Sequence, residues 1–386
     1  MKRKILISIL FMMLVGGFIS GCGKSSNTSG SNNESYSSQL TTSDLFTDRD
    51  LKQTIDTATA TNYTVKDNEN INITEEGGYV ISGSASNVSI MVNSDDESKV
   101  QLVLKDLSIT NSSSPCIYVK NADKVFVTTS GTNTLIVNGT FTSDGTTNTD
   151  AVIFSKDDLV LNGTGTLNIT SSDNGITSKD DLKITGGTIN ITCDSDCLEA
   201  NNSIAINDGN ITINSKKDGL HAEYDEDDSL GYIYIAGGTL NINASDDGIH
   251  GTTIVQIDGG DITVKAKEGI EGTYIQINDG NISINATDDG INAGAKSKSI
   301  STPTIEVNGG NIKINMGSGD TDAVDSNGNI YVNGGTLDIT AQSPFDYDGE
   351  GKYNGGKIIV NGTETNELSN QMMGGRGGQN NRGNRR

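Results

Sequence analysis

Acidic side chains recur at two equivalent positions of a repeated pattern in the second half of the chain. One position lies two residues before the first apolar residue of a short segment, and the other lies directly after that residue. Stacked strands would bring successive members within about 4.8 Å, where like charges repel unless a cation intervenes. Calcium takes six to eight oxygen ligands and suits such a column. The residues predicted to bind Ca²⁺ are Asp196, Glu199, Asp218, Asp247, Glu268, Glu271 and Asp289.

The aspartates have a second interpretation, in which they stabilise Asp-Gly turns while water solvates their charge. This alternative explains single aspartates well, but it does not explain a second column that contains Glu199 and Glu271. The acidic loop at residues 223–228 is a further candidate source of calcium ligands, because it follows closely after Asp218. Calcium binding therefore remains the interpretation that we favour.

The chain contains two histidines, and both fall in the second of these columns. His221 and His250 occupy consecutive repeats, between Glu199 and Glu271. A stacked pair on a polar face is the interpretation that we favour. A transition-metal site or acid–base chemistry is the alternative, although no third histidine or nearby thiol supports it.

Three tyrosines could bind sugars. Tyr232 and Tyr274 share one outward column, with Ile254 between them, and Tyr234 lies two residues after Tyr232. Aromatic faces stack on pyranose rings, so these residues are the predicted carbohydrate-binding set. The alternative is that the tyrosines simply fill strand exteriors, where Tyr is common.

These residues lie on a repeat that must position them. A Gly-containing turn recurs in seven segments. Its last glycine is at 187, 209, 238, 260, 280, 310 and 335, and successive glycines are 20 to 30 residues apart. Strict apolar–polar alternation follows each turn, and two further short apolar segments complete each repeat, which indicates three strands per repeat. We therefore predict an all-β fold, a right-handed single-stranded parallel β-helix of about 10–11 coils.

Composition agrees with a narrow solenoid. The chain has 386 residues, a formal net charge of −23 and 33% hydrophobic residues. A low apolar content with high charge would indicate disorder, but the regular Ile, Val and Leu spacing contradicts disorder. The negative charge opposes a nucleic-acid partner, and none is expected.

The N-terminus is typical of a bacterial lipoprotein. A basic start and an apolar run end in Ile19-Ser20-Gly21-Cys22, which resembles a lipobox, and Cys22 is the predicted lipidation site. We predict a signal peptide at 1–21, a Ser/Asn-rich flexible linker at 22–43, a β-helix domain at 44–368 and a disordered Gly/Arg-rich tail at 369–386. The expected location is the extracellular face of the cell membrane, where a lipid anchor is the membrane contact. A disulfide between Cys193 and Cys197 could form there.

Several segments resemble a known family. Residues 46–51, 151–167, 179–192 and 225–249 resemble the bacterial, mainly clostridial, carbohydrate-binding domains with a pectate-lyase-like parallel β-helix. The resemblance implies binding of plant or cell-surface polysaccharide, including acidic polymers such as pectate, with bound calcium. It also implies that the protein is not an enzyme.

Two other functional classes remain open. A β-helix polysaccharide lyase needs a basic residue beside calcium; Arg49 is the only arginine between Cys22 and Asn370, so Lys265 and Lys267 are the candidate bases. A glycosidase would use paired carboxylates, such as Asp246 with Asp247 or Asp288 with Asp289. A structural envelope protein or adhesin with calcium-stiffened coils is the third class.

Overall fold

The computed structural model describes residues 40–54, 57–145, 147–224, 226–318 and 321–370. The predicted signal peptide, Cys22, most of the predicted linker and the tail from residue 371 lie outside these residues. Helix α1 spans Thr42–Leu45, and every other regular element is a strand. Within the described ranges, no helix is long and apolar enough to cross a membrane.

The strands are short and follow one another along the whole described chain. The first seventeen are β1 Thr61–Thr64, β2 Ile71–Ile73, β3 Gly77–Ser86, β4 Ile90–Asn93, β5 Lys99–Asn111, β6 Ile117–Asn121, β7 Lys124–Ser130, β8 Thr132–Val137, β9 Ala151–Ser155, β10 Asp158–Gly163, β11 Thr166–Ser171, β12 Asn174–Ser178, β13 Asp181–Ile184, β14 Thr188–Cys193, β15 Leu198–Ala200, β16 Ser203–Ile206 and β17 Asn210–Ser215. The others are β18 Leu220–Ala222, β19 Tyr232–Ile235, β20 Thr239–Asn243, β21 Asp247–Ile257, β22 Asp261–Ala266, β23 Glu268–Ile277, β24 Asn281–Ala286, β25 Ile291–Ala293, β26 Thr304–Val307, β27 Asn311–Met316, β28 Asp322–Ser326, β29 Asn329–Val332, β30 Thr336–Thr340, β31 Ser343–Tyr347, β32 Gly351–Tyr353, β33 Lys357–Val360 and β34 Thr363–Thr365.

Apart from β34, each strand pairs in parallel with a strand of a neighbouring coil, which produces three long sheets. The first sheet includes β10, β13, β16 and β19, and the second includes β11, β14, β17 and β20. The third sheet contains β2, β4, β6, β9, β12, β15, β18, β21, β23, β25, β28 and β31. The predicted parallel β-helix is therefore confirmed. Its third sheet has twelve levels, slightly more than the predicted coil number, because the N-terminal coils repeat less regularly.

The core consists of aliphatic ladders rather than a broad interior. In the second sheet one ladder runs through Ile189, Ile211, Leu240, Ile262, Ile282, Ile312, Leu337 and Ile358. All of these side chains are buried. Period-two alternation explains this burial, because every second side chain of each strand points into the coil. A chain with few apolar residues can thus bury a continuous core.

The Gly-rich turns connect the first sheet to the second sheet. Gly238 has a φ of 92°, and a Cβ at this position would lie 2.8 Å from the backbone oxygen of Gly209 in the preceding coil. A side chain is therefore excluded both by the backbone conformation and by the neighbouring coil. This double restriction explains why glycine marks the repeat so clearly in the sequence.

Residues 40–53 pack along the outside of the first sheet, and we call this segment the N-terminal strap. The backbone N–H and C=O of Leu40 both bond to the Gln256 side chain at 2.8 Å. Lys183 Nζ donates to the Leu45 oxygen at 2.6 Å. The predicted linker boundary at residue 43 is therefore too late, because residues 40–43 already pack against the coils.

The C-terminal end closes in a different way. Strand β34 folds back on β33 and pairs with it antiparallel. The turn between them contains Asn361 and Gly362, which both have positive φ. Beyond it, the Leu368 oxygen accepts a hydrogen bond from the Tyr347 hydroxyl at 3.0 Å. The final coil is thus covered by the chain that follows it.

Candidate functional site

The two columns expected from the sequence form along the third sheet. The histidine column contains Thr177, Glu199, His221, His250, Glu271, Asn292, Asp325 and Asp346, each opposite the next in parallel register. The acidic column contains Asn174, Asp196, Asp218, Asp247, Glu268, Asp289 and Asp322, which begin the same strands or lie two residues before them. The structure therefore brings all seven predicted calcium residues onto one edge of the solenoid.

Several carboxylates of the acidic column bond to the backbone of the next coil. The Asp218 N–H donates to Asp196 Oδ1 at 3.0 Å, and the Asp247 N–H donates to Asp218 Oδ1 at 2.9 Å. The Asp322 N–H donates to Asp289 Oδ1 at 3.2 Å. These bonds satisfy backbone donors at or just before the start of the strands, where the turn meets the third sheet. The column therefore connects successive coils, a role different from the Asp-Gly turn stabilisation considered above.

Five of the seven predicted calcium residues already have a cationic neighbour. Asp196 lies 2.8 Å from Lys217 Nζ, and Glu199 lies 3.0 Å from Lys179 Nζ. Asp218 and Asp247 contact the two histidines, and Glu271 Oε1 lies 2.6 Å from Lys296 Nζ. These side chains neutralise much of the charge that the sequence left unbalanced. The argument for calcium at these five positions is correspondingly weaker.

The two histidine rings stack with centroids 4.8 Å apart and planes 10° from parallel. The predicted stacked pair is therefore present. Burial alone would lower the pKa of each histidine, but carboxylate hydrogen bonds raise it to about 9 for His221 and about 10 for His250. Both rings are positively charged at neutral pH, which suits them to neutralise acids and not to act as general bases.

The remaining carboxylates lie at the C-terminal end of the columns. Burial raises the pKa of Glu268 and of Asp289 to about 7, and that of Asp325 to about 6. Repulsion from neighbouring acids adds to the effect, including that of Asp322 and Asp346 on Asp325. Among the described residues, no lysine, arginine or histidine forms an ion pair with Glu268, Asp289, Asp325 or Asp346. We call these four residues the uncompensated acids.

Two loops meet beside the histidine column. Ser299 Oγ, from the loop at 295–302, donates to the Asp228 oxygen at 2.8 Å, and Lys298 Nζ lies 3.7 Å from Asp228 Oδ2. Glu223, at the start of the acidic loop, contacts His221 Nε2 at 3.0 Å. Asp225 lies outside the described residues. Both insertions that interrupt the repeat thus project over the same face as His221.

The predicted tyrosine strip is not an exposed stacking surface. Tyr234 is 1% exposed and Tyr274 is 3% exposed. The strap covers Tyr234, whose ring centroid lies 6.5 Å from that of Phe46, and its hydroxyl lies 3.0 Å from Thr42 Oγ1. Tyr232 is partly buried in the same cluster. The expectation that Tyr232, Tyr234 and Tyr274 present open rings is wrong. The strap, which the sequence did not reveal, covers Tyr232 and Tyr234, whereas Tyr274 is buried elsewhere and its hydroxyl accepts from Gln276 Nε2 at 3.4 Å.

The candidate lyase base Lys267 is also poorly suited to its role. Its Nζ lies 3.4 Å from Asp246 and 3.7 Å from Asp288. Asp246 raises the pKa of this lysine above its ordinary value, and a proton-accepting lysine requires the opposite shift. Lys267 is therefore a surface ion-pair partner. Cys193 and Cys197 form a disulfide, as the sequence allowed.

Comparisons with known proteins now give a family. The profile of a family described as carbohydrate-binding domain-containing proteins matches residues 67–323 and 266–374, which together cover most of the chain. The chain belongs to this family. The predicted resemblance is confirmed, and the matched residues of this carbohydrate-binding domain include both columns and both loops.

Individual relatives cover less of the chain. A carbohydrate-binding domain-containing protein of Acetivibrio thermocellus is 36% identical over 124 residues, which are 30% of this chain and 43% of that protein. The chain thus spans less than half the length of this relative. A solved polysaccharide lyase-like protein from C. thermocellum is 29% identical, with a TM-score of 0.49, over 58% of this chain and 94% of that one.

Asp325 and Asp346 are site residues that the predicted ligand set lacks. They stand directly opposite each other in β28 and β31. Asp325 directly follows the apolar residue Val324, as the column pattern requires, but the position two residues before Phe345 holds Ser343 and not an acid, so Asp346 lacks the flanking acid of the preceding coils. The signal that could have revealed it is the spacing from the preceding glycine turn at Gly335.

Proposed function

We propose that this carbohydrate-binding domain binds an acidic polysaccharide at the cell surface and that Ca²⁺ bridges the two. The supporting observation is the group of uncompensated acids, where burial and mutual repulsion raise the pKa of three carboxyl groups. A divalent cation would relieve that repulsion. It would also leave coordination positions for sugar carboxylates.

Bound calcium would allow an acidic protein to bind an acidic polysaccharide. A chain with a net charge of −23 repels a polyuronate at long range. Cations held by Glu268, Asp289, Asp325 and Asp346 would reverse the local charge and supply the attraction. The parallel coils would repeat this local arrangement along the axis, as a linear polymer repeats its carboxylates. The ligand proposed is therefore a pectate-like glycan and not a neutral glucan.

The proposed cellular position is the outer face of the membrane, with diacylglycerol on Cys22 as the anchor. The lipobox-like sequence before Cys22 supports this proposal. Metabolic labelling with a radioactive fatty acid, compared between the natural chain and Cys22→Ala, tests it. Equal label in both chains would contradict the anchor.

The glycan proposal predicts a specific pattern of binding. Polygalacturonate should bind the full chain in Ca²⁺ and lose at least about tenfold in affinity in EDTA, since a bridging ion is removed. A neutral glucan should bind weakly in both buffers. Isothermal titration calorimetry measures all four combinations, and undiminished polygalacturonate binding in EDTA would contradict the bridge. Release of unsaturated uronide, detected by its ultraviolet absorbance, would instead indicate a lyase.

The position of the bridge is tested by substitution. Asp325→Asn with Asp346→Asn should weaken Ca²⁺ and polygalacturonate binding together, by about tenfold or more. Asp208→Asn with Asp279→Asn is a matched control, because both are exposed acids on Gly turns of another face. If the control weakens binding as much as the double variant does, bulk charge and not this site determines affinity.

A further inference from the structure

We propose that Asp247, His250 and Glu271 form a binding site for a borderline divalent metal ion of the Zn²⁺ class, separate from the calcium site. These side chains lie on two adjacent coils, β21 and β23, opposite each other in parallel register. Each offers one ligand atom, and the three atoms lie within 4.8 Å of one another. On binding, the ion would displace the proton on His250 Nδ1 into solvent, and the coordination set would be one imidazole nitrogen and two carboxylate oxygens, which zinc and its neighbours accept.

The geometry around His250 carries this inference. His250 Nδ1 lies 2.9 Å from Asp247 Oδ2 and 2.8 Å from Glu271 Oε2. One N–H has a single proton and can form one well-directed hydrogen bond, so two carboxylate oxygens compete for it. Ligands of one zinc ion lie about 3.0–3.4 Å apart when each is about 2.1 Å from the metal. A small opening of the three atoms would therefore accommodate an ion.

His221 provides a contrast on the same face. Its Nδ1 lies 2.7 Å from Asp218 Oδ2, and its Nε2 lies 3.0 Å from Glu223 Oε2. Each ring nitrogen has its own carboxylate, as expected of a protonated imidazole with both donors satisfied. Asp218, His221 and His250 also place ligand atoms within 4.8 Å of one another, but both His221 nitrogens already have a carboxylate partner, so we assign His221 as an ion-pair partner and His250 as the metal ligand.

The burial and the contacts of the two carboxylates favour an ion that is bound by the protein over one that stays in solvent. Glu271 is 3% exposed, and Asp247 is 7% exposed. The other oxygen of Glu271 accepts from Lys296 Nζ at 2.6 Å, and this contact fixes the orientation of the carboxylate. Lys296 belongs to the loop at 295–302, so the bound ion would lie beneath the loop that contacts Asp228. The ion would tie two coils together at the histidine column.

The experiment compares two charge-conserving variants of the tag-free full chain. Lysine keeps the positive charge that Asp247 and Glu271 face, but a protonated lysine cannot bind metal. His250→Lys should reduce Zn²⁺ affinity at least about tenfold, whereas His221→Lys should stay within about threefold of the natural chain. Calorimetry with Zn²⁺ and Co²⁺ visible spectra measure this, with circular dichroism to confirm folding of each variant.

Four results would overturn the assignment. They are no Zn²⁺ binding by the natural chain, natural affinity in His250→Lys, an equal loss in His221→Lys, and an unchanged Co²⁺ spectrum in His250→Lys. If His250→Lys does not fold, Glu271→Gln is measured in its place, and natural Zn²⁺ affinity in that variant would likewise contradict the site. Asp325→Asn with Asp346→Asn should retain Zn²⁺ binding, which separates this site from the calcium proposal.

Discussion

Aspartates of the acidic and histidine columns differ in their charged neighbours. Asp218 and Asp247 face histidines, whereas Asp289 and Asp325 have no cationic partner among the described residues. The sequence predicted the column itself, since spacing determines which residues stack. It did not predict the partners, because Lys217 and Lys296 reach the columns from turns and loops whose path the repeat does not specify. Which carboxylates of the columns are neutralised therefore depends on how far nearby lysine side chains extend.

In the presence of a chelator, the histidine pair should make the folded protein less stable as the pH becomes alkaline. The pKa of His221 is raised to about 9 and that of His250 to about 10, against an ordinary value near 6.5. Their stabilisation is fully present below about pH 6.5 and is lost as the pH rises through 9 and 10. The melting temperature in EDTA should therefore fall more between pH 7 and pH 10 for the natural chain than for the His221→Gln, His250→Gln double variant. Parallel curves would contradict the raised pKa values.

At the scale of the element, the sequence predicted strands and turns well because both signals are local. Alternation identified the second-sheet strands, and glycine identified the turns between the first and second sheets. The strap was missed, because residues 40–43 are mostly polar and their contacts lie far along the chain. The bonds between Leu40 and Gln256, for example, join residues 216 positions apart. No local pattern specifies such a contact.

Substitution of a turn glycine should lower the free energy of unfolding more where two coils approach closely. Gly238→Ala should lower the free energy of unfolding by about 2–4 kcal/mol, since a positive φ and a clash with Gly209 act together. Gly362→Ala is the control, because its φ is also positive but no atom lies within 4 Å of a Cβ there. It should cost about 1 kcal/mol. Urea unfolding measures both, and equal costs would show that the close approach contributes nothing.

The disulfide closes a short loop and should stabilise the fold modestly. Loop-closure entropy for the five residues from Cys193 to Cys197 gives about 2 kcal/mol. In neighbouring coils the equivalent positions are Ser171 or Ser215 and Gly175 or Gly219. The matched variant is therefore Cys193→Ser with Cys197→Gly, compared by urea unfolding under oxidising and reducing conditions. A difference in the free energy of unfolding between the natural chain and the variant that persists in reductant would come from the substituted side chains and not from the disulfide bond.

At the scale of the whole molecule, the strap is a separate segment that packs on the outside of the stacked coils. Each coil contacts its neighbours, whereas the strap crosses several coils of the first sheet. Gln53 Nε2 donates to the Thr185 oxygen at 2.8 Å, and Lys124 Nζ lies 3.4 Å from Asp50 Oδ1. The strap contains no strand and makes no sheet pairing with the coils, so it can detach while the coils remain folded.

Removal of the Phe46 ring should release the strap alone. Phe46 is 6% exposed against Tyr234, and the strap carries trypsin sites at Arg49 and Lys52. Phe46→Ala should therefore speed cleavage at these sites at least about tenfold, while circular dichroism of the coils is unchanged. Leu51→Ala, at an exposed position of the same segment, should cleave at the natural rate. Mass spectrometry of the fragments distinguishes the two, and equal rates would mean that Phe46 does not hold the strap.

The antiparallel strand β34 has a consequence for how copies of the chain can meet. A parallel solenoid presents at each end a row of backbone donors and acceptors that could template another coil, as a growing fibril does. At the C-terminal end, the backbone donors and acceptors of β33 in the second sheet pair with β34, which runs in the opposite direction. An incoming coil of a second copy would find the wrong polarity there. With three residues and one Asn-Gly turn, the hairpin thus disfavours parallel stacking of a second copy on this edge of the second sheet.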